Sequence, residues 1–131
     1  MQKVSSVKEK HTISAGVKSF KYAVNGVFTA LAICRNLKIH YLATILAIVA
    51  GFYFDITPAE WAVILLTVTK VICLEMMNTA IERTVDLLTQ QRNILAMIAK
   101  DVAAGAVLIS AIVAIIIGWI IYWPYVSHLF G

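Results

Sequence analysis

The sequence predicts an all-α integral membrane protein, with three transmembrane helices preceded by an N-terminal amphipathic helix on the membrane surface. Three observations carry this expectation. The 131 residues are 61% hydrophobic and 14% charged, with a mean hydropathy of +0.87, whereas globular domains carry roughly 25% charged residues. Long apolar runs recur three times, each close to the length that crosses a bilayer. Charge is also segregated. Residues 1–40 hold seven basic side chains against Glu9 alone, a balance of +6, so the rest of a chain with net charge +4 sums to −2. A basic front on a hydrophobic body points to a cytoplasmic membrane surface. Nucleic acid is excluded as a partner, because that role needs basic residues interleaved with exposed aromatics on a polar face. The chain is too apolar for a soluble or disordered one.

One membrane domain is expected over residues 1–131. Residues 1–11 are polar and expected to fray, and no cleavable signal peptide is evident. Residues 12–38 read as the surface helix and a polar break. Val17, Phe20, Val24, Val27, Phe28 and Leu31 share one face, and Lys18, Lys21 and Asn25 share another. Arg35-Asn36-Leu37-Lys38 suits lipid headgroups. The first span is expected at 39–54, slightly short for a core of about 30 Å. Asp55-Ile56-Thr57-Pro58 is a tight connection, with Thr57 as cap, Pro58 at the first helical position and Glu60 in the first turn. The second span, 59–81, runs on as a polar helix to about Leu88. The third, 102–123, has no charge and closes on Trp119, Tyr122, Trp123 and Tyr125 as an interfacial belt. The 55–60 turn lacks Lys and Arg, while the 83–100 connection has Arg83, Arg92 and Lys100. The positive-inside rule therefore places the N-terminus and the second connection of this multi-pass protein in the cytoplasm.

Chemistry concentrates in Glu75-Met-Met-Asn78-Thr-Ala-Ile-Glu82-Arg-Thr-Val-Asp86. At 100° per residue, Glu75, Asn78, Glu82 and Asp86 fall within a stripe about 80° wide. Aligned carboxylates repel, and a carboxylate in hydrocarbon costs a few kcal/mol, so the stripe needs a compensating cation. Mg²⁺ prefers hard oxygen ligands and bridges carboxylates to nucleotide phosphates. The plain alternative is a helix emerging into water, which fits Asp86 better than Glu75. Lys100-Asp101 heads the third span, where backbone N–H groups and a lysine suit a phosphate, or simply anchor the helix. Ala103, Ala104, Gly105, Ala106 and Ser110 form a small-residue surface for close helix packing. Lys70 lies mid-span, about 140° from Glu75, and has no role in the stripe. Cys34 and Cys73 sit in apolar stretches and suggest no disulfide framework. The three histidines are scattered, so soft-metal chemistry is not expected, and no P-loop, GxGxxG, GxSxG or HExxH occurs.

At these residues the sequence resembles the small prokaryotic diacylglycerol kinase and undecaprenol kinase family, from Ser19 onward. The carrying motifs are Glu75–Glu82 with Val85-Asp86, and Ala99-Lys100-Asp101-Val102-Ala103-Ala104-Gly105-Ala106-Val107-Leu108. Ser19–Ala23, Arg35–His40 and Glu60-Trp61 are weaker matches. The Arg35–His40, Asn78–Glu82 and Ala103–Leu108 segments look closer to the undecaprenol branch. The resemblance implies a homotrimer with composite active sites, and an ATP-dependent lipid kinase acting on a membrane lipid. It implies Glu75 as general base on the lipid hydroxyl and Glu82 as ligand of Mg²⁺ with ATP. Tyr22, Asn78, Lys100 and Asp101 would help place the nucleotide, and Glu75 and Ala104 would face the lipid substrate.

Three departures from the family's pattern stand out, one being Lys70 at a position that is normally apolar; the other two bear on activity. A glutamate in the family immediately precedes the position of Arg35 and is a second metal ligand; here that residue is Cys34, a poor Mg²⁺ ligand. The connection before Ala99 reads Gln91-Arg92-Asn93-Ile94-Leu95-Ala96-Met97 and lacks the family's tyrosine, histidine and proline, which lie near the nucleotide. A non-catalytic membrane subunit and an oligomeric channel using Glu75 and Lys70 stay open as alternatives.

Overall fold

A computed structural model of the chain describes residues 2–89 and 91–129, with side chains from residue 16 onward. Among these residues the chain is all helical: α1 (Gln2–Ile33), α2 (Arg35–Tyr53), α3 (Pro58–Leu88) and α4 (Ile94–His128). It forms two compact units, residues 1–33 and 34–131. The first is α1 alone. Its backbone is helical from Gln2, through residues expected to fray, and not from residue 12, because residues 2–15 contain no glycine or proline and polarity is no obstacle to a helix. Val17, Phe20 and Phe28 on its apolar face are all exposed.

The second unit is a bundle of α2, α3 and α4, each long and apolar enough to cross a membrane. It begins at Cys34, whose extended backbone makes the break one residue ahead of the expected Arg35–Lys38. Arg35, Asn36 and Lys38 form the first turn of α2, since charged residues fit a first turn as readily as a loop. At 1.5 Å per residue α2 spans about 28 Å, while α3 and α4 span about 46 and 52 Å. The hydrocarbon core is about 30 Å thick, so α3 and α4 must project beyond it. α4 starts at Ile94, ahead of the expected span, because Asn93 caps it by accepting from Leu95 N and Ala96 N at 2.9 and 3.3 Å. It also runs through Pro124 to His128.

The three helices are pinned at the end carrying the α2–α3 turn. Ile56, Ile64 and Ile121 form a buried cluster, surrounded by Ala47, Phe54, Trp61, Val68, Ile117, Tyr122 and Tyr125. Thr57 and Glu60 form the full capping box, with Pro58 in the first turn, as the sequence predicts. One Glu60 oxygen accepts from Thr57 N, Thr57 Oγ1 and Tyr125 Oη at 2.8, 2.7 and 2.8 Å, tying α4 to the start of α3. Tyr122 Oη donates to Ala47 C=O at 2.7 Å and ties α4 to α2. Asp55 takes φ 49°, a left-handed conformation that aspartate tolerates better than most residues.

Gly51 lets the turn close. A Cβ there would lie 2.8 Å from Trp61 Cη2 and 3.2 Å from Ile56 Cδ1. Gly51→Val is therefore expected to cost about 1–3 kcal/mol through overpacking, read as a lower Tm in detergent. Trimming the ring in the double variant with Trp61→Leu should return part of that loss, because the two residues are in contact.

Candidate active site

The apolar seam of α3 changes character along its length. Ile64, Val71, Glu75 and Asn78 are its buried residues, and their spacings of seven, four and three place them on one helical face. The side that packs as isoleucine and valine near the turn thus becomes carboxylate and amide two turns later. Glu75 is 3% exposed and Asn78 6% exposed. Glu82 continues the face half-buried. Asp86, although on the same stripe, is exposed because it lies where α3 has left the packed region. The expected stripe is therefore three buried or half-buried groups and one at the surface.

Neither buried polar group is neutralised in the ordinary way. Among the described residues the Glu75 carboxylate has no ion pair and no hydrogen bond. Asn78 Nδ2 donates to Glu82 Oε1 at 3.0 Å, which orients the amide. Its oxygen, Asn78 Oδ1, is buried without a hydrogen-bond partner among the described residues. An unsatisfied buried acceptor costs roughly 1–3 kcal/mol, so this atom calls for a donor or a cation from outside the chain.

Cys34 is placed against this region. Its Sγ lies 3.1 Å from Thr79 Oγ1, and Thr79 Oγ1 donates to Glu75 C=O at 3.0 Å. A hydroxyl has one proton, so the Cys34 thiol is the donor in this pair. The residue before Arg35 is thus a buried thiol fastened to the residue after Asn78. Sequence reading missed this link. Its signal was Thr79 at i+4 from Glu75, the spacing at which threonine bonds back to the helix.

Lys100 sits on α4 and ion-pairs with Asp86 Oδ1 across the α3–α4 connection. This contact was also not foreseen. The two charges flank a short connection, which brings them together. They border a cleft of about 880 Å³ with Thr89, Gln91, Arg92 and Asn93. Asp101 and Ala104 are exposed on α4, and Tyr22 is 70% exposed on α1. The structure therefore joins Glu75, Asn78 and Glu82 in one group and Lys100 with Asp86 in another. Lys70 is exposed and belongs to neither.

The oxygens on α3 suit a hard cation of a particular kind. Among the described residues no three His, Cys, Asp or Glu side chains stand close enough to enclose a metal. What is available is the Glu82 carboxylate and the unpartnered Asn78 Oδ1. That set fits Mg²⁺, which keeps water and substrate phosphates in most of its positions.

Comparison with known proteins identifies the family. The prokaryotic diacylglycerol kinase family matches residues 21–122. The undecaprenol kinase of Bacillus subtilis (strain 168) is 36% identical over 121 residues, covering 92% of this chain and 98% of that protein. A diacylglycerol kinase of Synechocystis sp. is 44% identical over 107 residues, covering 81% of this chain but only 61% of that protein. The diacylglycerol kinase of Escherichia coli (strain K12) is 29% identical over 109 residues, covering 83% of this chain and 89% of that protein. The family match takes in all of α2 and α3 and most of α4, with both groups of polar residues, and the chain belongs to the prokaryotic diacylglycerol kinase family.

Proposed function

We propose that the protein is an ATP-dependent lipid kinase that transfers the γ-phosphate to the hydroxyl of a membrane lipid, undecaprenol or diacylglycerol. The observation that carries this reading is Glu75, a buried carboxylate with no counterion among the described residues, one helical turn from the open acceptor of Asn78. A buried, uncompensated acid raises the cost of folding and is retained for chemistry.

In this reading the lipid hydroxyl oxygen attacks the γ-phosphorus as the bond from that phosphorus to the β–γ bridging oxygen breaks. ADP leaves, and the hydroxyl proton passes to the Glu75 carboxylate. Asn78 holds Glu82 in place through its amide N–H and keeps Oδ1 free. Glu82 would hold Mg²⁺, which when bound offsets the charge of the phosphates. Lys100 and Asp101, with Tyr22 from α1, would contact the nucleotide, and Ala104 would leave room for the acceptor. Small residues on α4 leave room for a neighbouring helix, as a homotrimer would need: Ala104 and Ala106 are exposed, and a Cβ at Gly105 would meet nothing within 4 Å. The basic N-terminal segment supports a cytoplasmic N-terminus in the bacterial inner membrane, the side from which ATP arrives.

The test is transfer of labelled phosphate from ATP to extracted lipid, with undecaprenol and diacylglycerol offered in parallel. The wild type should label at least one acceptor. Glu75→Gln, which keeps size but removes the proton acceptor, should lower turnover by at least about 10²-fold. Near-normal turnover in that variant would refute the role of Glu75.

Cys34 favours a second reading, a degenerate member acting as a non-enzymatic membrane protein. Its thiol donates to Thr79 and offers a cation no carboxylate. If the protein is a working kinase, the defect should show as weak metal affinity, and Cys34→Glu should lower the Mg²⁺ concentration for half-maximal phosphorylation. An unmoved Mg²⁺ curve would deny position 34 a metal role. Absence of lipid labelling by either protein at saturating Mg²⁺ would favour the degenerate reading.

A further inference from the structure

Lys70 is a charged side chain in the middle of α3 with no role in the candidate site. It belongs to the side of the helix turned away from the bundle. Val63, Leu66, Lys70, Cys73, Met77 and Ala80 are all exposed, and their alternating spacings of three and four residues place them on one face. At 100° per residue this outer face lies roughly opposite Ile64, Val71 and Asn78. Among the described residues Lys70 makes no ion pair and no hydrogen bond.

Depth fixes what Lys70 meets. Trp61 lies nine residues before it, at the end pinned by the α2–α3 turn. Thr79 lies nine residues after it, level with Cys34 and the Arg35 start of α2. Each is about 14 Å from Lys70 along the helix axis. The four-carbon stem of a lysine reaches roughly 6 Å, so the ammonium cannot snorkel to either headgroup layer. A charge held in hydrocarbon is costly and is kept where it finds a partner.

The acids of this chain do not supply that partner. Asp55 and Glu60 sit at the α2–α3 turn, Glu82, Asp86 and Asp101 at the opposite end of the bundle, and Glu9 in α1. Glu75 is about 8 Å further along α3 and about 140° around it, buried within its own bundle. A parallel second copy would bring its own Lys70 to the same depth, ammonium against ammonium. Charge complementarity therefore selects a different chain.

We propose that the outer face of α3 docks the transmembrane helix of a second membrane protein, whose Asp or Glu at mid-bilayer pairs with Lys70. This goes beyond the lipid kinase reading and does not depend on it. Around the ion pair, Leu66 and Met77 pack against the partner helix, and Cys73 and Ala80 are small enough to let the two backbones approach. The small residues of α4 stay available to copies of this chain.

The experiment uses the full chain in phosphatidylcholine vesicles, with a donor dye on the chain and an acceptor dye on a synthetic host helix of leucine and alanine. One host helix carries glutamate at its midpoint, which sets the acid at mid-bilayer in either orientation. Two controls carry leucine there, or glutamate moved seven residues, about 10 Å, toward one end. The central-glutamate helix should associate with wild type about tenfold more tightly than the leucine helix, the order of a polar interhelical contact in model peptides. Lys70→Leu should abolish that preference and Lys70→Arg should keep it, while the displaced glutamate should lose it. Energy transfer between copies of the chain should be the same for wild type and Lys70→Leu. Equal association of the glutamate and leucine helices with wild type would overturn the proposal, as would a preference that survives Lys70→Leu. Altered transfer between copies in Lys70→Leu, with no preference for the glutamate helix, would give the outer face to a second copy instead.

Discussion

The buried carboxylate and amide of α3 are the constraint around which the bundle is arranged. A helix that seals its neighbours with Ile64 and Val71 gains from burial, and the same face carrying Glu75 and Asn78 loses by it. The second half of the seam cannot hold the bundle together, so the first half must. This accounts for the concentration of tight contacts near the α2–α3 turn. There, Gly51 admits the Trp61 ring, one Glu60 oxygen gathers three donors, and Tyr122 and Tyr125 reach across to α2 and α3. The far end has fewer such ties: the Cys34–Thr79 hydrogen bond, the buried Leu37 beside it on α2, and the exposed Lys100–Asp86 ion pair, the last a type of contact worth about 1 kcal/mol or less. One end of the bundle is structural, and the other is free to accommodate a charged ligand.

Helix length follows the same division. α2 matches the hydrocarbon thickness, whereas α3 and α4 overrun it, and the overrun carries Glu82, Asp86 and Lys100. In the proposed mechanism this geometry lets two substrates of opposite character meet. An amphiphilic acceptor reaches Glu75 from the bilayer, and a nucleotide reaches Glu82 from water. The buried face of α3 connects the two through Asn78 and Glu82.

Much of this was legible in the sequence. The cap Thr57-Pro58-Glu60 follows from residue types at fixed offsets, and the Glu75–Asn78–Glu82 face follows from helical periodicity. Both are local rules. What escaped sequence reading depends on tertiary proximity. The Cys34–Thr79 bond joins residues 45 apart, and the Lys100–Asp86 pair needs the α3–α4 connection to close. The early onset of α1 is hidden in the sequence because polar residues read as frayed, although lysine, glutamate and glutamine are good helix formers. The exposure of Asp86 is hidden because a helical wheel gives the direction of a side chain and not whether a neighbour is there to cover it.

The central claim is that Glu75 is kept for chemistry at a cost to stability. The most direct measurement is the Tm of Glu75→Gln against wild type, in the same bicelles and without nucleotide. An amide of equal size removes a buried charge and leaves the Thr79 and Asn78 bonds intact, so the account predicts a Tm equal to or above that of wild type. A fall of about 5 °C or more, the shift expected from losing roughly 1 kcal/mol in a domain of this size, would mean that the carboxylate supports the fold. That result would contradict the account.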